Sequence, residues 1–140
     1  MAFWNVDLTT EDGAYSAAQL GGYACLVAAV LGAIGIALTG GLIASIDKAA
    51  AIGMLAVGLA EILVFVVAGF RFRAGRGPVW GSVAALLLVF EIVIKLVTLQ
   101  GLPGMVIDAI LLVAIVNGIR GARALGRRDI TADEAAEIFN

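Results

Sequence analysis

Residues 79–98 read VWGSVAALLLVFEIVIKLVT, from Val79 to Thr98, and the only charges among them are Glu91 and Lys95. A helix crossing the hydrocarbon core of a bilayer needs about 20 mostly apolar residues, and this run supplies them. Its two charges are as informative as its apolar majority. An ionisable side chain near the bilayer centre costs about 2.5–3.5 kcal/mol on insertion scales, so such groups point toward other helices and not toward lipid.

Three further runs of the same kind occur, over residues 15–44, 49–70 and 103–119. The breaks between the four are short: Ser45-Ile46-Asp47-Lys48, the segment RFRAGRGP from Arg71 to Pro78, and Gln100-Gly101-Leu102-Pro103-Gly104. Short connections make successive helices antiparallel neighbours. The predicted fold is therefore an all-α integral membrane protein, a four-transmembrane-helix antiparallel bundle forming one domain over residues 1–140. Residues 120–140 are predicted as a cytoplasmic tail. Within it, Thr131 followed by Glu134 reads as a capping box opening a short helix to about Phe139.

Composition agrees. The 140 residues are 62% hydrophobic and 14% charged, with a mean hydropathy of +1.07; a soluble domain carries about 25% charged residues. A chain of this size cannot enclose so much apolar surface in water. Nine basic residues against eleven acidic ones leave a net charge of −2, without the basic excess of a nucleic-acid binder. The chain has no histidine and one cysteine, which removes imidazole catalysis, histidine-based zinc sites and internal disulfides; neither a metal nor a cofactor is expected.

Residues 1–14 contain Asp7, Glu11 and Asp12 but no Lys or Arg, so the first run lacks the basic start of a signal peptide and reads as a retained helix. Orientation follows from the arginines. Arg71, Arg73 and Arg76 lie in the second break and Arg120, Arg123, Arg127 and Arg128 follow the fourth run, whereas the first break holds only Lys48. The positive-inside rule puts the second break and both termini in the cytoplasm, the expected location being the inner membrane of a bacterial cell. Trp4, Tyr15, Phe70, Phe72 and Trp80 fall near the same boundary, where aromatic rings anchor helices.

Between helices in lipid, small residues that let backbones approach drive association. In the first run Gly21, Cys25, Ala29, Ala33, Ala37 and Gly41 recur every fourth position, forming a nearly continuous small face. A second row, Ala28, Gly32, Ile36 and Gly40, lies beside it. The face can pack against the second run at Gly53, Ala56 and Ala60, or across a subunit boundary. Ala114, Gly118 and Ala122 form a shorter row in the fourth run.

Four ionisable groups lie inside the runs: Glu61, Glu91, Lys95 and Asp108. Glu91, Lys95 and Thr98 share a helix face, and counting about 1.5 Å per residue from the third break puts Lys95 and Asp108 at one depth as an ion pair. Three carboxylates and one ammonium would sum to −2 in a low-dielectric interior, so a proton or bound cation is expected there, with Glu61 as the group lacking a partner in its own helix. The group either fixes the register of the third and fourth helices or lines a polar cavity that binds or passes a proton or cation. Asn117 and Arg120 could extend such a path, although Arg120 more simply reaches to the interface. Glu61 and Glu91 as an intramembrane acid/base pair is a third reading.

Asn117-Gly118-Ile119-Arg120-Gly121 resembles the end of the last span in many small bacterial four-helix membrane proteins, a resemblance that names no activity. The first run lacks the acidic residue that small multidrug transporters carry there. The functional expectation is a non-enzymatic membrane protein that assembles through small-residue faces into a homo-oligomer or as an accessory subunit of a membrane complex. The alternative is an oligomeric channel or a proton- or cation-coupled transporter.

Overall fold

The structure, a computed structural model, describes residues 8–99 and 102–138, with the side chains of 40–44, 46, 102–103 and 128–138 outside the description. It is all-helical over these residues: α1 (Glu11–Ile46), α2 (Lys48–Arg73), α3 (Pro78–Thr98) and α4 (Leu102–Ile138). Each helix is long and apolar enough to cross a membrane.

The ends have local causes. Thr10 opens α1 by accepting the Gly13 N–H on its Oγ1 at 3.2 Å, and Glu11 and Asp12 complement the helix dipole in the first turn. Asp47 ends one helix and starts the next: its Oδ1 accepts the N–H groups of Ala49 at 2.8 Å and Ala50 at 3.2 Å. The α2–α3 turn depends on Gly77, whose φ of 125° disfavours any side chain, and Pro78 then begins α3 with its φ already helical.

The helices form a four-membered ring in which α1 touches α2 and α4, and α3 touches α4 and α2. Packing is closest where α2 turns into α3, here called the arginine end. A Cβ on Gly21 would lie 2.7 Å from the Cα of Gly118, so α1 and α4 meet backbone to backbone. Gly22 faces Gly69 in the same region, and Cys25, Ala29, Phe65, Phe72, Leu88 and Ile115 complete a buried core. With lipid as solvent, dispersion in such contacts supplies the cohesion that the hydrophobic effect supplies in water.

Several expectations change here. The small face of α1 does not meet Gly53, Ala56 and Ala60, which are exposed. Its buried half, Gly21, Cys25 and Ala29, lies in the core, and Gly21 is met by the small row of α4. Ala33 and Ala37 are exposed. Phe72 is no interfacial anchor; it is fully buried, with its ring filling the space a side chain on Gly81 would take. The helix of the C-terminal tail is not separate, because α4 continues unbroken through Thr131 to Ile138. Trp4 lies outside the described residues, as do the side-chain surroundings of Gly41 and Arg128.

Candidate functional site

At the opposite end the four helices part around a cleft of about 530 Å³. Every helix contributes to it, and each brings the residues nearest the α1–α2 and α3–α4 turns: Thr39 from α1, Met54 from α2, Lys95 from α3 and Gly104 from α4. Ala28, Phe65, Leu88 and Leu111 close its floor; all four are buried and belong to the core of the arginine end. The cleft is thus a vestibule closed at the arginine end.

The residues singled out from sequence, Glu61, Glu91, Lys95 and Asp108, all line this cleft. Helical spacing puts the three acids at a common level. Glu61 stands four residues from Phe65, Glu91 three from Leu88 and Asp108 three from Leu111, each displaced from the floor toward the mouth. Three helices therefore raise a carboxylate about one turn above a single apolar floor. The fourth wall, α1, brings no charge to the cleft; it presents Leu31, Ile36 and Thr39 with the small Ala28, Gly32 and Gly35 between them.

Lys95 reaches from the next turn of α3 to two of the three acids. Its Nζ lies 2.6 Å from Asp108 Oδ2 and 2.6 Å from Glu91 Oε1. The first contact is the ion pair expected from depth counting, and the second is the i,i+4 pair within α3. Asp108 is the more enclosed acid, its side chain 10% exposed against 40% for Glu91. Glu61 is half-buried and makes no hydrogen bond or ion pair among the described residues. One ammonium consequently serves two carboxylates, and the third faces the cleft unpaired.

Hydroxyl groups near the mouth are spent on their own helices: Thr39 Oγ1 donates to Gly35 O at 2.7 Å, and Thr98 Oγ1 donates to Ile94 O at 2.8 Å. Charge at the carboxylate level is thus the cleft's main polar feature. Asn117 does not extend the path. It is 7% exposed, separated from the carboxylates by the floor, and its Nδ2 has no hydrogen-bond partner among the described residues.

Arg71, Arg73, Arg76, Arg120, Arg123 and Arg127 are exposed, and the Arg73 guanidinium sits 5.6 Å from the centre of the Tyr23 ring. Cleft residues missed from sequence include apolar side chains such as Leu31, Met54 and Val57, and the glycines Gly35, Gly58 and Gly104. Gly35 has nothing within 4 Å of where a Cβ would be, and Gly104 lies beside Lys95, whose Nζ would be 3.5 Å from such a Cβ. Their signal is an absent side chain, legible only once the neighbouring helix is placed.

No known family matches the chain, and neither the curated proteins nor the solved structures yield a match.

Proposed function

We propose that this chain is a membrane protein that takes up a cation, or a proton, in a vestibule between four antiparallel transmembrane helices. The observation that carries the reading is the set of three carboxylates at one level above a closed apolar floor, with a single ammonium among them. A network serving register alone would be expected to close around its charges, whereas this one borders open volume. The antiparallel order is supported by the contacts, in which Gly22 faces Gly69, Gly32 approaches Ile62, and Ile36 lies against Gly58.

The positive-inside rule places the arginine end and both termini in the cytoplasm, so the vestibule opens to the outer side of an inner or plasma membrane. A closed floor supports a carrier that alternates access in preference to a continuously open channel. The site is assigned binding and passage, not catalysis. Glu61→Gln should lower proton or cation flux in proteoliposomes, and a wild-type protein without flux across several ions and pH values would end this reading.

A second reading rests on a different observation. Ala33 and Ala37 continue the small face of α1 past the region that α4 covers, and both are exposed. That outer half of the face is suited to a second copy or to another subunit of a membrane complex.

A further inference from the structure

We propose that the ligand of the vestibule is a lipophilic organic cation, its charged head beside Glu61 and its apolar body in the cleft; this rests on the cleft binding a cation at all. Size is the first argument. A cavity of about 530 Å³ falls in the range of small-molecule pockets, about 300–1,000 Å³. A bare metal ion instead requires several oxygens within about 2.6 Å of one point, and no metal-holding group of three acidic or sulfur side chains occurs among the described residues.

Charge is the second. Lys95 is engaged by both Glu91 and Asp108, so an incoming cation finds its counter-charge at Glu61, whereas an anion would face three carboxylates. An acyl chain from lipid would fill the apolar volume but leave that excess uncompensated. The walls supply the third argument. Leu31, Met54 and Val57 line the cleft toward its mouth, and Phe65 forms part of the floor one turn from Glu61. An aromatic ring beside a carboxylate in a low-dielectric pocket favours a weakly hydrated cation over a strongly hydrated one. One turn from Leu31 on α1, Gly35 leaves space where a larger residue would intrude.

The test uses the full chain in phosphatidylcholine nanodiscs with tetraphenylphosphonium as the probe, measured by equilibrium dialysis against empty nanodiscs. The wild type should bind it saturably, about one per chain. Glu61→Gln should weaken binding about thirtyfold, the scale of losing one partner of a desolvated charge pair. Gly35→Leu, which enters open space and leaves the fold intact, should weaken binding at least tenfold by narrowing the cleft. Elution volume and helix content report folding, and Gly35→Leu decides the matter if Glu61→Gln fails to fold. Saturable binding that neither variant changes would overturn the proposal. So would a wild type that binds no tetraphenylphosphonium; if it still moves protons or inorganic cations in proteoliposomes, the broader reading survives, and if it moves none, both fall.

Discussion

At the arginine end α1 and α4 touch through their backbones, at Gly21 and Gly118; at the other end the same two helices border a cleft that Gly35 and Asp108 both line. Side-chain size and charge produce the difference. In lipid two helices gain little by merely hiding apolar surface, so they close only where small residues allow many dispersion contacts. Ala14, Ala17 and Gly21 on α1, with Gly118, Gly121 and Ala122 on α4, meet that condition. Toward the mouth, α4 offers Asp108 and α3 offers Glu91 and Lys95. Pressing α1 against them would bury three charges beside aliphatic surface, where desolvation costs several kcal/mol per ion.

The largest test adds the same side chain at both ends. Gly118→Leu places a Cβ 2.7 Å from the Gly21 Cα and should cost about 3 kcal/mol through overpacking, measured by reversible unfolding in micelles. Gly35→Leu should leave stability within about 0.5 kcal/mol, as substitutions into open space do. Equal losses would erase the distinction between a close-packed end and an open one.

The charged level of the cleft is tested next. Lys95→Met removes the ammonium shared by Glu91 and Asp108 and should cost about 2 kcal/mol, less than for a fully buried pair because the Glu91 side chain is 40% exposed. Adding Asp108→Leu should recover part of that loss, since it removes one of the two carboxylates left without an ammonium. Equal damage from the single and double changes would mean that the charges are not coupled. The same unfolding measurement reads all three proteins.

What could be read from sequence divides along the same line as the molecule. The four spans were legible because lipid imposes a minimum length on any crossing helix and because Asp47, Gly77 and Pro78 mark their ends chemically. Lys95 and Asp108 were legible because both are counted from one short turn, which fixes their relative depth. The partner of the small face was not, since a four-residue period states that a helix is smooth without stating which neighbour lies on it. Phe72 misled for a related reason: an aromatic beside arginines fits an interface by composition, and only the placement of Gly81 turns it inward. The tail misled because a Thr-x-x-Glu pattern can lie within a continuing helix, and residues 120–130 contain no proline to stop α4. The vestibule itself was invisible, being made by what Gly32, Gly35 and Gly104 lack.

The smallest effect on stability bears on the part of α1 that neither end occupies. Ala33 is four residues beyond Ala29, the last buried member of the small face among the described residues, and is exposed. Ala33→Leu should therefore change the stability of the isolated chain by less than about 0.5 kcal/mol. If a second helix from another chain seats there, the added isobutyl group holds the backbones apart and removes the contacts on which association in lipid depends. Native mass spectrometry from nanodiscs should then show the oligomer replaced by monomer while Gly53→Leu, on an exposed face of α2, leaves the oligomer intact. An oligomer indifferent to Ala33→Leu would remove α1 as the assembly surface and leave the vestibule as the function of the open end.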